Sequence, residues 1–226
     1  MRAILWGFES PLRHTLFYSD QMRTNKGKIA VLLSGRGSNF EAIYRSSLTD
    51  DSNFKIVLVI SDKKKAKGLE TAISLNIPAL SIRPLDYSSK EEYEKHLIAT
   101  LKENNIELIC LAGFMRIISP VLIKEYPGKI INIHPSLLPS FPGLDAQKQA
   151  LDAGAIISGC TVHFVDEGVD SGPVIMQAKV KIKADDSEES LSARILKEEH
   201  RIYSEVISLF FLEKLIIDDG KVKILT

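Results

Sequence analysis

Lys28-Ile29-Ala30-Val31-Leu32-Leu33-Ser34-Gly35-Arg36-Gly37-Ser38-Asn39 runs from an unbroken apolar stretch through a glycine-rich turn into a helical pattern, and this order of states decides the fold. Five apolar residues in a row, 29–33, show no polar alternation, as expected of a strand covered on both faces. The same order recurs down the chain. Strands are predicted over 55–60, 79–82, 107–112 and 128–134, and helices over 39–46, 65–75, 89–104 and 119–126. Ser89 suits the cap of its helix, Glu91 and Glu92 its first turn, and Leu97 and Leu101 share one face. Pro120 suits the first turn of the next helix. Strands separated by helical runs of about 10–15 residues build βαβ units, hence a three-layer α/β fold on a mostly parallel, twisted, Rossmann-like sheet. The C-terminal end departs from this pattern. A Pro-rich loop at 135–143 and a helix near 145–153 lead to strands over 156–165 and 173–182, whose short connection requires an antiparallel pair. A helix over 187–214 and a small strand over 222–225 complete the reading.

The 226 residues suit one domain with a short appendage. Residues 1–26 mix Arg, Asp, Pro and aromatics without a period and read as an N-terminal extension of unknown role, with Met22 as an alternative start; residues 27–226 read as a single domain. The apolar patch at 3–8 is too short for a secretion signal, and no run approaches the roughly 18 apolar residues of a membrane helix. A balance of 29 basic against 29 acidic residues argues against a generic nucleic-acid or anionic-membrane partner. Cys110 and Cys160 lie in apolar runs without CxxC or metal spacing, so they read as buried free thiols in a reducing, cytoplasmic compartment. No clustered His/Cys spacing argues for a metal.

Chemistry concentrates where the strand over 128–134 ends. Asn132 and His134 face one side, with Ile131 and Ile133 on the other. Two hydrogen-bonding side chains at the end of an apolar strand are costly without a purpose, and Pro135 opens a loop beside them. An amide donor, an imidazole and a carboxylate are the parts for acid–base chemistry at a carbonyl. Asp170, in Asp170-Ser171-Gly172-Pro173, is the candidate carboxylate, although that tetrapeptide alone reads as a turn. His163 reads as a buried structural histidine, Glu199-His200 as a solvated or packing pair, and Lys63-Lys64-Lys65 as a solvated surface. The turn at 35–39 offers backbone amides and a helix N-terminus to an anion, with Ser38 as the cap. Phe40 stands where a dinucleotide fingerprint needs its third glycine, so a phosphate monoester is the better ligand. Residues 113–118 follow a strand, at the edge where open α/β sheets bind ligands.

Together SGRGSNF (34–40), LAGFMRIISP (111–120), INIHPSLLPSFPGLDAQKQAL (131–151), GCTVHFVDEGVDSGPVI (159–175) and Glu198-Glu199-His200 resemble the folate-dependent formyltransferases, in particular their phosphoribosylglycinamide formyltransferase branch. The resemblance runs from about Lys28 to about Leu212. It implies transfer of the formyl group of 10-formyltetrahydrofolate to the amine of glycinamide ribonucleotide in purine biosynthesis, by a monomer or homodimer that uses no metal, nucleic acid or membrane. It implies Asn132, His134 and Asp170 as the catalytic group. For the ribonucleotide it implies Gly37, Ser38 and Asn39 with Leu196, Lys197, Glu198 and Glu199. For the folate it implies Lys90, Met115, Arg116, Ile117, Ile118, Asp166, Glu167, Gly168 and Val169, together with Asn132 and Asp170. On this reading residues of about 27–125 form a nucleotide-phosphate half and those of about 126–226 a folate and catalytic half. Lys90 stands where relatives often carry an arginine, which keeps the charge and loses the bidentate fork. Asp145 and Gln147 stand where some relatives carry histidines, a departure from the family pattern. Among rivals, methionyl-tRNA formyltransferase has an additional C-terminal domain and needs basic surface. Formyltetrahydrofolate deformylase carries an N-terminal regulatory domain that 26 residues cannot supply. A non-catalytic phosphate- or nucleotide-binding module leaves Asn132, His134 and Asp170 without a purpose.

Overall fold

The computed structural model describes residues 26–225, so the N-terminal extension and Met22 fall outside the described residues. Seven strands form one sheet: β1 (Gly27–Leu33), β2 (Phe54–Ser61), β3 (Ala79–Ser81), β4 (Leu108–Leu111), β5 (Ile130–His134), β6 (Ile157–Phe164) and β7 (Val174–Lys181). Their spatial order is β3-β2-β1-β4-β5-β6-β7. The chain winds outward from β1 to β3, then returns to lay β4 against the other side of β1. Strands β1 to β5 pair in parallel, and β5, β6 and β7 pair antiparallel. Where the winding reverses, the carboxyl ends of β1 and β4 bracket a crevice, the usual ligand position in such sheets.

The connecting helices are α1 (Ser38–Ser47), α2 (Lys67–Ser74), α3 (Lys90–Glu103), α4 (Pro120–Glu125), α5 (Ala146–Asp152) and α6 (Glu188–Phe211). They cover both faces, as the apolar strands require. Ile29, Val31, Leu33, Cys110, Ile131 and Ile133 pack in one layer with Phe40 of α1 and Ile195, Ile202 and Tyr203 of α6. Ala30, Leu32, Ile60, Ile109, Leu111 and Ile130 pack in the other with Tyr93, Leu97 and Leu101 of α3 and Leu122 of α4. Tyr203 is fully buried and its hydroxyl lies 3.0 Å from the Leu111 carbonyl and 3.1 Å from that of Ile131, which ties α6 to two adjacent strands. No helix among the described residues is long and apolar enough to cross a membrane.

The expected elements recur with shifted ends. Ser89 caps α3 as expected, accepting from Glu92 N–H, Pro120 opens α4 as expected, and Ser119 caps it by accepting from Leu122 N–H. Three readings need correction. Gly37, and not Ser38, is the N-cap of α1; its φ of 85° is a left-handed conformation that favours glycine. The last helix stops at Phe211, because Glu213 adopts a left-handed φ of 55° and Lys214 N–H bonds back to the Leu209 carbonyl. The chain then forms a hairpin, β8 (Leu215–Asp218) with β9 (Lys221–Ile224), where one lone strand was expected.

Tyr203→Phe keeps the packing and deletes the hydroxyl link. We expect a loss of about 1–2 kcal/mol of stability, read as a lower urea midpoint with an unchanged m-value. An unchanged midpoint would mean that the hydroxyl contributes nothing to joining α6 to the sheet.

Candidate active site

Strand alternation puts Asn132 and His134 on one face of β5, and a loop brings Asp170 to both. Asn132 Nδ2 lies 3.3 Å from Asp170 Oδ1, and His134 Nδ1 lies 3.2 Å from Asp170 Oδ2. The Asn132 amide is oriented by chemistry, since an ionised carboxylate only accepts. A third side chain joins them. His163 lies directly opposite Asn132 in the antiparallel β5–β6 register, and its Nε2 is 3.2 Å from Asn132 Nδ2 and 3.6 Å from Asp170 Oδ1. His163 is buried and hydrogen-bonded, as expected, and it also lies within the cluster. The register places it there, and a shift between Val162 and His163 leaves Ile175 of β7 as an extra residue at the same point.

The loops supply the rest of the geometry. Asp170 has a left-handed φ of 51°, within a turn braced by Asp166, whose Oδ1 accepts from Gly168 N–H at 3.1 Å and from the Ser171 hydroxyl at 2.8 Å. Any side chain at Gly172 would run into the Phe164 carbonyl, 1.9 Å from the position of a Cβ. That carbonyl also lies 2.8 Å from His163 Nδ1. A hydrogen on Nδ1 satisfies it, so Nε2 accepts from Asn132 when bare and donates toward Asp170 when protonated. Residues 135–143 are held by Thr161, whose hydroxyl donates to the Ser136 carbonyl at 2.7 Å and accepts from Leu138 N–H at 3.1 Å. They deliver the Phe141 carbonyl to within 2.9 Å of His134 Nε2, and Gly143 N–H to within 2.9 Å of Asp170 Oδ2. Both nitrogens of His134 thus face acceptors, and a ring with hydrogens on both satisfies both. Burial alone would raise the Asp170 carboxyl; the nearby His163 ring, the Gly143 N–H and the His134 ring outweigh it and hold the group below the ordinary carboxylate range.

At the reversal point of the sheet, α1 begins with no side-chain cap. The N–H groups of Ser38, Asn39 and Phe40 have no partner within the helix, an arrangement that suits an anion, with the helix dipole behind them. Gly37 also passes so close to the start of α2 that a Cβ there would lie 2.9 Å from Gly68 Cα. Asn39 turns its side chain to α6, where Nδ2 donates to Glu199 Oε2 at 2.7 Å and Oδ1 is buried without a partner. Burial raises the Glu199 carboxyl, only partly opposed by that bond. Glu199-His200 is therefore no solvated pair: Glu199 is buried and His200 Nε2 is buried without a partner. Of the other expected contacts, Leu196 is half-buried, Lys197 is exposed and Glu198 pairs with Arg201 at 2.8 Å.

A cavity of about 240 Å³ lies between α3, α4 and the loop after β4, lined by Lys90, Tyr93, Glu94, Arg116, Ile117 and Ile118 among others. Lys90 Nζ is 3.7 Å from Glu94 Oε1. Met115 and residues 166–170 stand outside it; the Met115 side chain is exposed, and the 166–170 turn folds around its own carboxylate. Asp145 is exposed at the start of α5 and makes no side-chain cap. Among the described residues no group of His, Cys, Asp and Glu side chains is arranged to hold a metal ion.

The profile of a family described as formyl transferase matches residues 27–207. The phosphoribosylglycinamide formyltransferase of Bacillus subtilis (strain 168) is 46% identical over 180 residues, 80% of this chain and 92% of the relative. The trifunctional purine biosynthetic protein adenosine-3 of Drosophila melanogaster is 46% identical over 212 residues, 92% of this chain but only 15% of that protein's length. The crystal structure of glycinamide ribonucleotide transformylase 1 from Symbiobacterium toebii superposes with a TM-score of 0.87 at 44% identity, covering 89% of this chain and 95% of the other. A formyltetrahydrofolate deformylase from Pseudomonas syringae pv. tomato is more distant in sequence, 25% identical with a TM-score of 0.81, and 66% of it is covered.

The two unusual carboxyls give opposite pH behaviour. A lowered folded-state pKa stabilises above the unfolded-state value and loses that contribution as pH falls through the folded one. The stability lead of the native protein over Asp170→Asn should therefore shrink on acidification. A raised pKa costs stability once pH passes it, so Glu199→Gln should gain on the native protein as pH rises. Urea midpoints across a pH series check both, and parallel curves for either pair would remove that carboxyl's assigned environment.

Proposed function

The chain belongs to the formyl transferase family, and from that membership we propose that it transfers the formyl group of 10-formyltetrahydrofolate to the amine of glycinamide ribonucleotide. The products are formylglycinamide ribonucleotide and tetrahydrofolate, within purine biosynthesis. The observation that carries this reading is the convergence of Asn132, His134 and Asp170 at the carboxyl edge of the sheet. Identity of 46% to the B. subtilis enzyme along 92% of its length supports the choice of acceptor. The two unpaired, buried cysteines suit a reducing, cytoplasmic compartment.

On this proposal the amine attacks the formyl carbon and the carbonyl electron pair moves onto oxygen, forming a tetrahedral intermediate. His134, with both nitrogens protonated, donates to that oxygen in place of the Phe141 carbonyl. Both N–H bonds of Asn132 are engaged in the free protein, so it contributes once it releases Asp170, the longer of its two contacts. Each such donor is worth roughly 10²–10³ in rate. The attacking nitrogen loses a proton and the folate N10 gains one as its bond to the formyl carbon breaks. Asp170, ionised and held by Gly143 N–H, is assigned as the base for this exchange and keeps the His134 ring in place. Direct transfer also fits the thiols. Burial raises Cys110 far above its usual range and pushes Cys160 up to about 12, so neither is a nucleophile at neutral pH.

The ribonucleotide phosphate is assigned to the amides of Ser38, Asn39 and Phe40, with Gly37 opening the approach and Glu199 facing the ribonucleotide beside Asn39. Folate is assigned to the cavity lined by Arg116, Ile117 and Ile118, where Lys90 and Arg116 suit its carboxylates.

We expect His134→Ala and Asp170→Asn each to lower kcat by at least about 10²-fold in a protein that remains folded. A near-native rate for either would remove that residue from the mechanism. Ser38→Pro, which deletes one amide, should instead chiefly raise the KM for the ribonucleotide. The deciding assay follows tetrahydrofolate release with and without glycinamide ribonucleotide. Release that ignores the amine would mean hydrolysis, the activity named for the P. syringae relative, and no release in either case would mean a binding protein.

A further inference from the structure

Ser34 opens the glycine-rich motif that follows β1, yet its side chain does not turn toward the helix N-terminus. It is 4% exposed, and its Oγ accepts the Met115 N–H at 2.8 Å, across the reversal point of the sheet. Its backbone N–H donates to the Gly113 carbonyl at 2.9 Å, and Ala112 N–H donates to the Leu32 carbonyl at 2.8 Å. The β1–β4 ladder thus continues two steps past the strands. Its last bond is made by a side chain, because Gly113, at a φ of 74°, has already turned the backbone away. Directly beyond Met115 stand Arg116, Ile117 and Ile118, the residues that line the 240 Å³ cavity. The neighbouring Gly35 carbonyl accepts from Gly68 N–H at 3.1 Å, so the phosphate turn has an anchor of its own that does not involve the Ser34 hydroxyl.

We infer that Ser34, although it belongs to the phosphate-loop motif, is a positioning residue for the other ligand: its hydroxyl fixes the loop after β4 and so sets the folate cavity. The inference rests on the proposed formyl transfer for the identity of the two ligands. A partly buried N–H deprived of its protein acceptor disfavours the conformation that needs it. Loss of the Ser34 oxygen would leave the Met115 N–H in that state, free the 113–118 segment to rearrange, and leave the amides of α1 where they are.

The test is a steady-state comparison of native Ser34, Ser34→Thr, Ser34→Cys and Ser34→Ala, varying 10-formyltetrahydrofolate and glycinamide ribonucleotide separately. Thr keeps an acceptor oxygen, Cys offers a weak acceptor, and Ala offers none. The KM for the folate should rise in that order, by about tenfold for Ala, while kcat and the KM for the ribonucleotide stay within about twofold. Thermal melts identify any variant that does not fold, and the Thr-to-Cys step reads the same trend without Ala. A rise in the ribonucleotide KM instead would return Ser34 to the phosphate site, and three unchanged folate KM values would overturn the inference. A native protein with no amine-dependent turnover would sink the functional reading first, an outcome distinct from either of these.

Discussion

The Asp170 carboxylate is the point on which the site depends. It collects Asn132 and His134 from β5, the Gly143 N–H from the loop after β5, and stands 3.6 Å from His163 on β6. These groups come from three separate stretches of chain, and each has a different reason to be where it is. Strand alternation aims the β5 pair, cross-strand register aims His163, and the braced turn at 166–171 holds Asp170 in a left-handed conformation. A half-buried carboxylate costs free energy unless its oxygens are satisfied. Here the satisfaction is what brings the functional groups together, so structural demand and chemistry are served by the same bonds.

Much of this was legible in the sequence because it depends on short-range rules. The unbroken apolar runs gave buried strands, Ser89 and Pro120 marked helix starts, and the spacing of Asn132 and His134 put them on one face. What escaped needed longer range or a conformation that residue type does not announce. His163 looked like one more buried histidine until β6 was known to run antiparallel to β5 in the register that pairs it with Asn132. The end of α6 carries no glycine or proline, so nothing in 211–214 marks a stop that rests on the left-handed conformation of Glu213. Ser38 was the natural cap by residue type, but a glycine before it could adopt the φ that Ser38 would not.

That misread cap bears on how a chain of zero net charge would suit the two anionic ligands proposed for it. A serine or aspartate at the N-cap would bind the second or third amide of α1 with its own side chain. Glycine there costs only a few tenths of a kcal/mol relative to such a cap, and it leaves the amides to an incoming phosphate. Recognition by backbone N–H groups and a helix dipole needs no surplus of lysine, which is why the charge balance is a poor guide to this site.

Glu199 shows the converse arrangement. Its carboxyl is buried and raised, and it accepts from an Asn39 amide whose own carbonyl oxygen lacks a partner. An isolated negative charge close to a phosphate site would repel the ligand. Burial moderates this, because it favours the neutral acid, which can donate as well as accept. Asp170 is held ionised by its donors, whereas burial pushes Glu199 toward its neutral form against the single Asn39 donor, so carboxyls of nearly the same intrinsic acidity are driven in opposite directions. The difference lies in neighbours and burial, which the fold sets and residue type alone does not.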